Sequence, residues 1–265
     1  MKHNFLFAAL LASLTFVSCN DNQEREPGSY ADKGAFASLK VVESLEDAEE
    51  NVYYFVLDNG TKVFLADNPI GAKLDEANDE RVVIYYALIE DYSEAESETL
   101  PGASYDCEYG LRLFNIKRVF VSESATVNTE KESEAIADHA LSYVYDSFTY
   151  SNGYINLLAG MKADKIDEVK LYLVENLSEE PDQTDEDYLN LELRYDRATD
   201  ESMGYTYEEF ASLSLEQFQD QLADKKGVML RMITLKSGTT FVKIDIENDQ
   251  TESRTLSRTK SADQL

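Results

Sequence analysis

Two Asn-Gly pairs, each set between runs of branched and aromatic residues, constrain this chain more than any other feature. Val52 to Leu57 is a run suited to a strand, Asp58-Asn59-Gly60 follows, and Lys62-Val63-Phe64-Leu65-Ala66 resumes the pattern. Both central residues of the favoured hairpin turn need positive φ, which Asn and Gly accept at least cost, so the flanking runs are predicted to pair. The signal recurs where Ser142 to Tyr150 and Tyr154 to Ala159 flank Ser151-Asn152-Gly153. A third tight turn, Lys236-Ser237-Gly238-Thr239, separates Val228 to Leu235 from Phe241 to Ile246. Short strands punctuated in this way predict an all-β fold.

Five strands are predicted over residues 37–121: Ser38 to Leu45, Val52 to Leu57, Lys62 to Ala66, Arg81 to Glu90 and Tyr105 to Val121, the last long enough to bend across a barrel. Asp91 to Ala103, acidic and closed by Pro101-Gly102, reads as a long exposed loop. The composition shifts at Ser122 to Glu134, so residues 122–138 read as a linker between two domains, with a short helix over Glu130 to Ala140. Six or seven strands follow over residues 139–247. Leu189, Leu191, Leu193 and Tyr195 alternate with Asn190, Glu192 and Arg194, which predicts one buried and one wet face. Val242, Ile244 and Ile246 point inward by the same rule, and Lys243, Asp245 and Glu247 outward. Glu208 to Lys226 reads as a loop followed by one or two helical turns. Residues 248–265 have almost no apolar content and are expected to be disordered.

Charge narrows the partners. The chain carries 52 acidic and 24 basic residues, a formal net charge of −28. Nucleic-acid binding rests on Lys and Arg replacing condensed counterions, so this field excludes nucleic acid as a partner. An anionic lipid surface repels the body of the protein as well, whereas a cationic peptide or protein is attracted at long range.

The first residues supply another route to a membrane. Lys2 precedes an uncharged thirteen-residue run, Phe5 to Val17, too short to span a bilayer but the right length for the core of a secretory signal. Val17-Ser18-Cys19 resembles the lipobox of bacterial lipoproteins, with Phe16 where Leu is usual. The resemblance implies that residues 1–18 are removed and that Cys19 becomes a lipidated N-terminus, the lipid attachment site. One acyl chain holds weakly and two or more hold firmly. Removing the signal leaves about 250 residues, enough for two ordinary domains. Residues 19–36 are polar, with Pro27 and no strand or helix period, and form a tether with a reach of roughly 20 Å. Cys107 is then the only other cysteine, so no intramolecular disulfide is expected. Its neighbours, Tyr105-Asp106-Cys107-Glu108-Tyr109, follow a strand pattern with no His or Arg to activate the thiol, and a packed small hydrophobe is the reading.

Taken in order, a lipobox, a polar tether, the hairpin YYFVLDNGTKVFL, the long strand ending LRLFNIKRVF, an acidic linker and a second unit containing SNGYINLL resemble the NigD-like lipoproteins of Bacteroidota. The resemblance extends to about Glu247. It implies an N-terminal OB-like five-stranded barrel followed by a C-terminal β-sandwich, and a role in bacteriocin immunity inferred from gene neighbourhood. No catalytic or binding residues come with it. Asn20-Asp21-Asn22-Gln23-Glu24 only partly matches the acidic export signal of surface lipoproteins in that phylum. The expected address is the outer membrane, with the periplasmic and surface faces both open.

Groups that carry chemistry are sparse. Beyond the signal the one histidine is His139, and no nucleophile signature occurs, so no catalytic residues and no cofactor are expected. Asp182, Asp185, Glu186 and Asp187 form an acidic loop, and Asp245, Glu247 and Asp249 share one side of a strand. Neither has the EF-hand order, and in so acidic a chain both read as solvated surface rather than as calcium ligands. There are 17 Tyr and no Trp, with pairs at Tyr53-Tyr54 and Tyr85-Tyr86 that place one ring inside and one outside. The leading expectation is a membrane-tethered, non-catalytic interaction module that binds a cationic polypeptide. The alternatives are a component of surface glycan handling and a structural envelope lipoprotein. The oligomeric state is open.

Overall fold

The computed structural model describes residues 34–42, 52–74, 80–91, 105–180, 183, 185–198 and 204–246. The predicted signal, Cys19, most of the acidic loop before Tyr105 and the C-terminal tail lie outside them. Five strands come first: β1 Gly34–Val42, β2 Val52–Leu57, β3 Lys62–Asp67, β4 Arg81–Asp91 and β5 Tyr109–Val121. β1 is antiparallel to β2 and β4, β2 to β3, and β4 to β5, while β3 and β5 pair in parallel. The pairing closes on itself in the order β1-β2-β3-β5-β4-β1, so each of the five strands has two partners. Leu39, Phe55, Val63, Ile84, Leu111 and Leu113, each 0 % exposed, fill the interior. Tyr53 and Tyr86 pack against this core. Their neighbours turn outward: Tyr54 stacks on Tyr105 at 6.1 Å, and Tyr85 packs beside Phe36 and Val83.

The second unit comprises β6 Glu123–Val127, α1 Glu130–Glu134, β7 Tyr143–Val144, β8 Thr149–Ser151, β9 Tyr154–Ala163, β10 Lys170–Asn176, β11 Tyr188–Asp196, β12 Tyr205–Ser214, α2 Gln219–Leu222, β13 Gly227–Thr234 and β14 Gly238–Asp245. One layer continues from the ring, because β5 pairs in parallel with β12 over Val119 to Val121. β12 pairs with β9, and β9 carries β7 and β8 on its other edge. The facing layer runs β14-β13-β11-β10-β6. Leu157, Met161, Leu173, Leu191, Leu213 and Leu230 are among the buried side chains that pack between the layers. The Ser151-Asn152-Gly153 turn has positive φ at both central residues, 48° and 77°. In the first hairpin only Gly60 is positive, at 86°, and the Asn59 Oδ1 accepts instead from the Thr61 N–H.

Four local readings change. Gly34 to Phe36, assigned to the tether, begin β1. Tyr105 to Glu108 form a turn with Asp106 at φ 53°, so Cys107 precedes the long strand instead of lying in it. Residues 122–138, read as a linker, contain β6 and α1. β6 joins the second layer beside β10, and α1 is capped by Thr129, whose Oγ1 accepts from Glu132 N–H, while the Glu132 carboxylate accepts from Asn128 N–H just before the cap. Finally, β12 lies largely within the segment read as loop and helical turns. Its second half is sandwiched between β5 and β9 and buried on both faces, which erases the alternation that would mark it.

The expected wet face of β11 is also partly covered. Arg194, only 4 % exposed, donates to the Ser133 carbonyl at 2.7 Å, the Ser133 hydroxyl at 2.8 Å and the Glu192 carboxylate at 2.7 Å. Arg231 ties Asp138 to the same surface at 3.0 Å. The segment from α1 to Asp138 is thereby held against the outer side of the sheet.

A second arginine joins the two units. The Arg81 side chain on β4 is 3 % exposed and forms a bidentate pair with Asp58 at 2.8 and 2.7 Å. It also donates to Ser212 on β12 at 2.7 Å and to Asn156 on β9 at 2.9 Å, and its guanidinium lies 4.0 Å from the centre of the Tyr154 ring. Asp58 enters from the first hairpin, and it also accepts from Ser151 of the second. Phe36, Val83, Val119 and Phe210 pack beside this network as a small apolar cluster of their own. Breaking a buried pair from one side strands the remaining charge. Arg81→Met should therefore lower the unfolding free energy by about 3–5 kcal/mol. Urea denaturation checks this, and Arg81→Met/Asp58→Asn should recover part of the loss.

Candidate functional site

Among the described residues, the two layers of the sandwich part along one side. At one end of that seam Leu141 bridges to β13, donating to the Ile233 carbonyl at 2.9 Å and accepting from Leu235 N–H at 2.7 Å. At the other end β8 approaches β14. Between these closures the chain from Tyr145 to Phe148 swings away from regular pairing, leaving a cleft of about 390 Å³. Phe148, Met232 and Val242 give it an apolar lining drawn from the core, and Asp146, Lys236 and Ser237 contribute polar groups.

Two tyrosines stand at this cleft because of a glycine. Tyr143 on β7 is in register with Gly160 on β9, which is in register with Glu208 on β12. A Cβ on Gly160 would lie 2.6 Å from the Tyr143 ring, so only glycine lets the ring lie across β9. The Tyr143 hydroxyl reaches Glu208 at 3.3 Å, and the Tyr145 hydroxyl donates to the same carboxylate oxygen at 2.6 Å. The two rings meet edge to face, 5.5 Å apart at 87°. The hydrogen bond to Glu208 pushes the Tyr145 hydroxyl up to about 12, with desolvation adding to it. Burial and then Glu208 push Tyr143 up as well. Both phenols therefore stay neutral donors to an anionic acceptor. Two aromatic faces beside a carboxylate make a surface suited to an ammonium or guanidinium group. Tyr145 is 43 % exposed, and Tyr205 at the start of β12 is 76 % exposed.

The sites read from the sequence lie elsewhere. Cys19, Asp182, Glu247 and Asp249 fall outside the described residues. Asp185 accepts from Lys243, which lowers its carboxyl, Asp187 pairs with Lys226, and Asp245 accepts from the Tyr188 hydroxyl at 2.6 Å. Among the described residues, no group of three or more metal-ligating side chains converges. Cys107 is buried, and desolvation raises its thiol to about 11, far from a reactive thiolate. The His139 N–H donates to the Tyr195 carbonyl at 2.9 Å, next to the segment that covers β11. The sequence does hold a signal for the tyrosine pair: Tyr143 and Tyr145 are two apart and so share a face, and a glycine inside a strand pattern marks close approach.

A closed ring of strands continuous with a two-layer unit defines an all-β protein with a C-terminal sandwich. Residues 123–246 match the NigD-like C-terminal beta sandwich domain. The fold recurs in solved structures from Bacteroides species. A protein of unknown function from Bacteroides vulgatus is 20 % identical, with 81 % of this chain and 90 % of that one covered and a TM-score of 0.59. A NigD-like immunity protein from Bacteroides caccae is 14 % identical, with 82 % and 97 % covered and a TM-score of 0.54. At such identities the likeness is one of fold. No curated protein matches the sequence.

Glu208→Gln should leave Tyr145 an uncharged acceptor and bring its ionisation back down from about 12 toward the ordinary value of 10.0. Titration followed by NMR of ring-labelled tyrosine checks this; an unmoved midpoint would remove Glu208 as the cause.

Proposed function

We propose that this chain is an envelope lipoprotein, anchored through Cys19, that acts as a non-catalytic binding module for cationic polypeptides, in keeping with a bacteriocin-immunity role. The observation that carries this reading is the seam: a cleft with an apolar lining, flanked by Tyr143, Tyr145 and Glu208, on a chain of net charge −28. A cationic chain is drawn in by the overall field, and its basic side chains find aromatic faces and a carboxylate on arrival. The likeness in fold to the NigD-like immunity protein from Bacteroides caccae supports the same direction. Glycan hydrolysis fits the cleft less well. A hydrolase needs two carboxyl groups flanking the scissile bond, whereas Asp146 is the one carboxylate among the described lining residues and Glu208 beside the cleft is already held by both tyrosine hydroxyls.

Two measurements test the reading. The chain starting at residue 20 should bind polylysine with an affinity that falls about tenfold or more between low and moderately high salt, since screening shortens the reach of exposed charge. Affinity indifferent to salt would sink the electrostatic mechanism. In the native host, Cys19→Ala should abolish incorporation of labelled fatty acid and move the protein out of the membrane fraction.

A further inference from the structure

The seam has a second property besides its tyrosines. β14 is the last strand of its layer, and no described strand pairs with its outer edge. The Ile246 N–H donates to the Lys226 carbonyl, and the β13–β14 register runs from there to Gly238 without a shift. In an antiparallel ladder the residues bonded to the partner alternate with those facing away. Gly238, Thr240, Val242 and Ile244 thus bond inward to β13, while Thr239, Phe241 and Lys243 turn their N–H and C=O groups to the open edge. Exposed edges are ordinarily blunted by proline, a bulge, extreme shortness or charged side chains, lysine above all. β14 has eight residues, no proline and no bulge, and its charged side chains are already engaged, Lys243 with Asp185 and Asp245 with the Tyr188 hydroxyl.

We infer that a cationic polypeptide binds here as an added strand, pairing in extended form with the outer edge of β14. This rests on the binding role proposed above and specifies how the ligand is held. Successive side chains of an extended segment point to opposite sides. One set turns into the cleft against Phe148, Met232 and Val242, and the other turns out on the far side of the layer, where basic groups meet the overall field of a chain with net charge −28. A second copy of this chain is not the occupant: it carries the same charge of −28 and is repelled. Main-chain bonds supply affinity without demanding a particular sequence, while alternation selects for apolar and basic residues in turn.

The test compares three probes on the full-length protein in detergent: a ten-residue peptide alternating Lys and Val, the same peptide N-methylated at every second residue along its pairing edge, and oligolysine of equal charge. The expected result is that N-methylation weakens binding about tenfold or more, and that the unmodified peptide slows hydrogen exchange at the Thr239, Phe241 and Lys243 amides while leaving Thr240 and Val242 unchanged. Equal affinity of the methylated and unmodified peptides, or binding without protection at those three amides, overturns the added-strand inference while the cationic binding role stands. If none of the three probes binds, the binding role itself fails and the inference falls with it.

Discussion

A guanidinium sealed from water holds the two halves of this molecule in one arrangement. Burying an ion is costly unless its partners are complete, and Arg81 meets that condition only when three separate pieces of chain are in place. Asp58 comes from the first hairpin, Asn156 from β9 and Ser212 from β12, and the Tyr154 ring covers the guanidinium face. Arginine suits the position because its planar fork donates in several fixed directions at once. The same network explains why the tips of both Asn-Gly hairpins face each other: Ser151 of one donates to Asp58 of the other.

With the junction fixed, the remaining question for each strand is whether its edges are covered. The ring leaves none of its five strands with a single partner. In the sandwich the back of β11 is shielded by the segment that Arg194 and Arg231 secure, so that side contributes stability more than access. Among the described residues, one stretch that stays uncovered is the seam beside β7 and β14, where core residues come to the surface and regular pairing lapses.

Much of this was legible in the residues. Alternation in β11 and β14 places the buried faces correctly, and the Tyr-Tyr pairs split between inside and outside as strand geometry requires. The features that escaped share one cause, which is dependence on a distant neighbour. β12 carries no period because both its faces are buried. β6 is short and polar, and its partner is residues 172–176. Arg81 is one base among 24 until Asp58, Asn156 and Ser212 gather around it. Glu208 acquires meaning only through Tyr143 and Tyr145, some sixty residues earlier in the chain.

The parallel pairing of β5 with β12 sets terms for how the molecule assembles. Val119 must find Phe210 across roughly ninety intervening residues, and β11 must await β13 before its second edge is filled. Contacts this remote are formed late, since loop closure has to be completed before they contribute anything. The sandwich therefore completes its layers late, after β12 and β13 have joined strands that precede them in the chain. The ring, whose pairings all lie within residues 34–121, can close well before it.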